Sequence, residues 1–274
     1  MRSFKEIIFK YPVISSIIIS SILISLTFIP LDSIMPSTMD SQLADYLGGI
    51  TKQVLVSIIL IIMLKKLSLF HKCRFSFSLK DTYLIWPIAL YCILSFIDIF
   101  TGEIIIDTSR PFVIVGFILV YLSTGLFEEI LCRGLIFSLI DSKWGKRGYI
   151  LPVILSSLLF GAFHFIHYFL GKASAVAAIA QVIYATFIGV FFGAIVIRRE
   201  SIYPAIIWHG IFDIAFDLKE IAVGGGISKG YMYMSIEQAI KCDIIMLPLF
   251  VYGLFIIRNE LVGINWGADK IISS

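Results

Sequence analysis

The sequence predicts an all-α, polytopic membrane protein: a bundle of about eight transmembrane helices with both termini cytoplasmic, forming a single integral membrane domain over residues 1–274. Three observations lead there. First, 59% of the residues are hydrophobic and 15% charged, with a mean hydropathy of +0.96, whereas a soluble domain carries about 25% charged and 45–50% apolar residues. Second, several apolar runs approach the roughly 20 residues that cross a hydrocarbon core as helix. Third, charge alternates between those runs from loop to loop. The ten-residue alternation of outer-membrane barrels is absent. A net charge of +3 with no basic stripe argues against a nucleic-acid partner and leaves membrane lipids as the surroundings.

The apolar runs place spans at about residues 13–29, 47–64, 83–100, 112–140, 150–170, 175–197, 205–216 and 240–257. The first has a basic flank (Arg2, Lys5, Lys10) but is long for a signal-peptide core, and Pro30-Leu31-Asp32 follows without a small-residue cleavage site, so it reads as a retained span. The fourth is too long to cross upright and should tilt, break or leave the membrane as an amphipathic end. The seventh is short.

Loop charge tests the count. After the first span come Asp32, Asp40 and Asp45 with no Lys or Arg; after the second, Lys65, Lys66, Lys72, Arg74 and Lys80. The third is followed by Glu103 and Asp107 against Arg110, the fourth by Lys143, Lys146 and Arg147, and the sixth by Arg198 and Arg199. Every second loop is basic, as the positive-inside rule requires of eight spans in a cell membrane, here expected to be a bacterial plasma membrane. The four cysteines (Cys73, Cys92, Cys132, Cys242) are far apart and form no C-x-x-C pair, so neither a disulfide framework nor a zinc ribbon is indicated.

Ionisable groups inside the apolar runs then stand out, because each costs at least about 2.5–3.5 kcal/mol to insert. The fourth span carries Glu128, Glu129 and Arg133. Glu129 and Arg133 are four apart, share a helix face and can pair, while Glu128 is swung about 100° away and left free to face a cavity. The fifth span carries His164 within Phe160-Gly161-Ala162-Phe163-His164, and the seventh carries His209 and Asp213, again four apart. A lone membrane histidine is as readily an interhelical hydrogen bond worth about 0.6–2 kcal/mol. Counting about 1.5 Å per residue from the cytoplasmic end of each span puts Glu128 about 18 Å deep, His164 about 20 Å, Asp213 about 14 Å and His209 about 8 Å. Carboxylates and imidazoles from three helices at comparable depth resemble a site. His167 reads as a loop or interface residue, Asp217, Lys219 and Glu220 as a solvated end, and Gly189-x-x-x-Gly193 as a helix contact.

Glu-Glu-x-x-x-Arg, Phe-x-x-x-His and His-x-x-x-Asp in that order resemble the three motifs of the CPBP (Abi) intramembrane protease family. That family takes in the type II CAAX prenyl endopeptidases and bacteriocin-processing or immunity proteins. The match covers about residues 116–217. The resemblance implies an endopeptidase acting on a membrane-associated or lipidated peptide or protein. By motif, Glu128 would activate water with the help of His164, His209 and Asp213 would stabilise the oxyanion, and Glu129, Arg133 and Phe160 would support them. The eukaryotic prenyl-protein enzymes have asparagine where this chain has Asp213, so Asp213 either donates as a protonated acid, orients His209 or helps hold a metal.

The chemistry also follows from the residue types. Amide hydrolysis needs an activated water and charge stabilisation at the oxyanion. Either a buried glutamate serves as base with no cofactor, or Glu128, His164 and His209 hold a catalytic zinc from separate helices, since H-E-x-x-H is absent. Two other functions compete: a non-enzymatic immunity or scaffold protein in which the polar cluster fixes packing, and a proton-coupled transporter, against which stands the absence of inverted repeats.

Overall fold

The computed structural model describes residues 4–76, 82–145, 148–226 and 232–268. The loop charges Arg2, Lys80, Lys146 and Arg147 lie outside the described residues. Helices follow one another as α1 (Phe4–Lys10), α2 (Pro12–Leu26), α3 (Ser41–Lys66), α4 (Trp86–Phe100), α5 (Pro111–Glu129), a π-helical stretch (Ile130–Ile136), α6 (Phe137–Trp144), α7 (Ile150–Phe163), α8 (Ile166–Phe169), α9 (Ala175–Arg199), α10 (Tyr203–Phe216) and α11 (Ile236–Ala268). Among the described residues there are no strands, only two isolated bridges, Ile106 with Ala222 and Ala173 with Met232. The chain is an all-α, multi-pass membrane protein.

Six helical stretches are long and apolar enough to cross: Ser41–Lys66, Thr82–Phe100, Pro111–Trp144, Ile150–Phe169, Ala175–Arg199 and Ile236–Arg258. The first and seventh predicted spans are shorter than the rest. At about 1.5 Å per residue, α2 and α10 reach only about 22 and 21 Å against a hydrocarbon core of about 30 Å.

Local chemistry sets the helix ends. The Asp40 carboxylate caps α3 by accepting the N–H groups of Gln42 and Leu43, and it also takes Arg110 at 2.7 Å. Ser174 caps α9, and Lys65, Lys66, Arg198 and Arg199 close α3 and α9 where the helix dipole favours cations. Pro111 opens α5, where a missing N–H costs nothing.

α9 is the axis of the bundle. Two-thirds of its apolar window is buried (67%), against 28–33% for the other long helices. It packs on α7, α10 and α11, while α5 lies between α3 and α10. Gly189 and Gly193 bring α9 against Ser157 and Val153 of α7, the contact that their spacing predicts. The long fourth span does not simply tilt. It breaks at the π stretch, where the Phe137 N–H bonds the Cys132 carbonyl five residues back, and then runs on as α6.

The two ends of the bundle differ in charge. Lys5 bonds Ser68, Lys143 bonds the Lys10 carbonyl, Lys72 pairs with Asp141 at 2.6 Å, and Arg74 bonds the Ile197 carbonyl. These contacts gather α1, the end of α3, α6 and the end of α9 at one basic end. The Asp40–Arg110 pair, Asp107 and Glu220 lie at the other, where the Asp107 N–H bonds the Ile221 carbonyl.

Candidate active site

Glu128 and Glu129 are the last two residues of α5 before the π stretch, and they divide their surroundings. Glu129 is fully buried and takes Arg133 at 2.7 Å on Oε1. Arg133 gives a second N–H to the Gly189 carbonyl of α9, also at 2.7 Å, and its guanidinium lies over the rings of Phe160 and Phe192. Arg133 therefore pairs with Glu129, as four-residue spacing favours, and leaves Glu128 to the cavity. The ion pair ties the site to α7 and α9 as well as to its own helix.

Glu129 does a second thing that spacing could not reveal. His209 Nδ1 donates to the same Oε1 at 2.8 Å. A carboxylate only accepts, so Nδ1 carries the proton and the Nε2 edge of the ring is turned away from Glu129. Nε2 lies 3.5 Å from Glu128 Oε2 and 3.7 Å from Asp213 Oδ2. The ring is stacked on Phe192 at 5.6 Å and meets the Phe160 edge at 6.0 Å, so its plane is held from two sides. Phe160 thus touches both His209 and Arg133.

His164 ends α7. Its Nδ1 donates to the Phe160 carbonyl at 3.0 Å, which leaves the Nε2 lone pair free in the neutral ring. His164 and Phe160 rings are 4.8 Å apart edge to face. Glu128, His164, His209 and Asp213 all line one cavity of about 600 Å³, with Phe127, Leu131, Phe163 and Tyr184 among its apolar walls.

The depths counted from span ends need correction. His209 is in contact range of Glu128, so the roughly 10 Å offset between them does not exist. The predicted fourth span ends within α6, which runs on to Trp144 at the basic end, while α10 already begins at Tyr203. Between Glu128 and Trp144 the chain passes through the π stretch and α6, so residues counted there do not convert to depth at the rise of one straight helix.

The approach of α5 to α10 depends on two glycines. A Cβ on Gly125 would sit 2.5 Å from the Ile206 carbonyl and 2.9 Å from the Gly210 nitrogen. One on Gly210 would sit 2.9 Å from the Leu122 Cα. Backbone-to-backbone contact at this crossing lets side chains on the two helices share one site.

Asp217, Glu220 and His167 lie elsewhere than their place in the sequence suggests, and Tyr121 and Thr124 were not singled out from it. Asp217 is not part of a solvated end. It continues the four-residue stripe of His209 and Asp213 into the cavity and hydrogen-bonds Tyr121. Glu220 is likewise drawn in, its Oε2 accepting the Tyr46 hydroxyl at 2.9 Å, while the Gln42 amide donates to the Tyr46 oxygen and to the Glu220 carbonyl. Burial raises the pKa of both carboxyls, against the lowering effect of their tyrosine partners. His167 lines the cavity and bonds Gln181 at 2.9 Å. Tyr121 and Thr124 precede Glu128 by seven and four residues, a helical spacing that could have found them.

Residues 110–215 match the family model Rce1-like, described as type II CAAX prenyl endopeptidase Rce1-like. The motif-bearing core resembles that family. The matched stretch runs from the residue before α5 into α10 and contains Glu128, Glu129, Arg133, Phe160, His164, His209 and Asp213, so the resemblance read from the three motifs is borne out. No curated protein and no solved structure matches the chain. The matched stretch covers 106 of the 274 residues and likens the core of this multi-pass membrane protein to an endopeptidase family.

For the expected zinc set the fit is poor. Among the described residues, no three His, Cys, Asp or Glu side chains are grouped so as to hold a metal ion. No step is therefore routed through a metal.

Proposed function

We propose that the chain is an intramembrane endopeptidase in which Glu128 is the general base. The observation that supports this most directly is that Glu128 faces the cavity free of Arg133, beside two imidazoles whose tautomers are set by their outer partners. A water between Glu128 and His164 Nε2 would meet an acceptor on each side. On attack, Glu128 takes the proton and later hands it to the leaving amine. His209, in its cationic form, donates through Nε2 into the space shared with Glu128 and Asp213, where the carbonyl oxygen gathers charge. Glu129 lies behind that imidazolium, with Arg133 on the same carboxylate oxygen. Asp213, as the protonated acid, would add a second donor beside His209.

The substrate class the reading supports is a peptide segment of a membrane-associated or lipidated protein, since Phe127, Leu131, Phe163 and Ile188 line the same cavity as the polar groups. The test is hydrolysis of a membrane-anchored peptide by the purified chain in detergent, wild type against Glu128→Gln and His164→Ala. Loss of cleavage in both, with unchanged thermal stability, supports the assignment. Full activity in Glu128→Gln would end it.

A further inference from the structure

Resting on the endopeptidase reading, we infer that Gln53 and Gln181 are substrate-binding residues, whose carboxamides hold the backbone of the peptide segment that lies unwound beside Glu128 and His164.

The need for such groups comes from the reaction. In a helix, each amide near the bond to be cut has its N–H and C=O engaged within the segment, and the neighbouring turns shield its carbonyl carbon. Attack requires that helix to open locally. The freed N–H and C=O groups must then find partners in a largely apolar cavity, because an unpaired backbone group away from water is costly. A carboxamide suits this task. It donates and accepts at once, with two N–H groups and two lone pairs.

The chain has four glutamines, and two of them, Gln53 and Gln181, line the cavity from inside membrane-spanning helices. Among the described lining residues they are the only carboxamides. They belong to different walls: Gln53 to α3, which packs on α5, and Gln181 to α9, which packs on α7. Each lies about one turn from a group assigned to the reaction. Gln53 Nε2 donates to Thr124 Oγ1 at 2.8 Å, and Thr124 stands four residues before Glu128 on α5. On the other wall His167, whose backbone N–H bonds the His164 carbonyl, donates from Nδ1 to Gln181 Oε1 at 2.9 Å.

These contacts orient the two amides without using them up. Gln53 Oε1 also accepts the Ser123 hydroxyl, which leaves the group one N–H and one lone pair. Gln181 keeps a lone pair, and its N–H groups meet no acceptor among the described residues. A backbone passing between the two walls therefore finds a donor and an acceptor on each side, close to the attacking water.

The probe is a short acyl-anchored peptide, chosen from a randomised set for cleavage by the wild-type chain in detergent. Backbone amides around the cut bond are replaced one at a time by esters, which removes a single N–H and leaves the side chains alone. The expected result is a KM raised about 2–10-fold at one or more positions, the worth of one hydrogen bond, with kcat nearly unchanged. Gln53→Met and Gln181→Met should raise KM by a similar factor for the all-amide peptide. Each variant should also abolish the penalty at one ester position, a coupling that a tie between helices, with no substrate contact, does not produce. Gln53→Met strands no partner, because the Ser123 and Thr124 hydroxyls both reach the Val120 carbonyl. Where one variant fails to fold, the ester cycle on the other decides. An ester series that leaves the wild-type KM unchanged overturns the inference, as do ester and variant effects that simply add. If the wild type cuts no peptide of the set, the endopeptidase reading falls and this inference falls with it.

Discussion

Substituting Gly125 by alanine tests whether the α5–α10 crossing, rather than the catalytic side chains alone, sets the rate. The new methyl carbon would stand 2.5 Å from the Ile206 carbonyl oxygen, a backbone atom that cannot rotate away. Real contacts of this kind begin at 3.0 Å, so the helices must part by at least about 0.5 Å. Overpacking of this sort costs about 1–3 kcal/mol. The larger consequence is at the site, because α5 carries Glu128 and α10 carries His209, now 3.5 Å apart. A displacement approaching 1 Å at reacting groups can cost about 10²-fold in rate. The expected outcome is a chain that still folds, melts somewhat lower and cleaves a membrane-anchored peptide roughly 10–100-fold more slowly. Gly226→Ala, where the added carbon meets nothing within 4 Å, serves as the control and should behave as wild type. Wild-type turnover in Gly125→Ala would refute the argument that this close approach positions the base.

Glu129→Gln should chiefly lower folded yield, since stranding a buried Arg133 costs about 3–5 kcal/mol; pairing it with Arg133→Met should recover most of the thermal stability without recovering cleavage, because His209 has still lost its carboxylate partner. Asp213→Asn should fold and keep measurable kcat, the amide donating as the protonated acid does; complete inactivity with intact folding would show that the carboxylate itself is required. A chelator in the peptide assay should leave the wild-type rate unchanged, and restoration by added zinc after chelation would contradict this. For Asp217 and Glu220, burial raises the folded pKa above the unfolded one, so the native state binds more protons between the two values and stability falls as pH rises through that interval. Melting temperature measured against pH should show that decline, and Asp217→Asn with Glu220→Gln should flatten it.

By itself the sequence determined the class of the molecule, the position of its long helices and the Glu129–Arg133 pair. These rest on properties that act locally: transfer of apolar runs into lipid, and the 3.6-residue repeat that puts residues four apart on one face. The same local rule sets the stripe of His209 and Asp213, although its continuation to Asp217 needed the structure to show that the end of α10 turns inwards rather than into water. Only the tertiary structure decided that His209 reaches Glu129 across 80 residues and shares a level with Glu128. It also decided that α5 gives way to a π stretch directly after the two glutamates, and that Tyr46, Tyr121 and Gln42 hold the turn after α10. Those outcomes depend on which helices touch and how closely. That is set by glycine contacts at Gly125 and Gly210 and by packing against α9, and neither leaves a periodic trace along the chain.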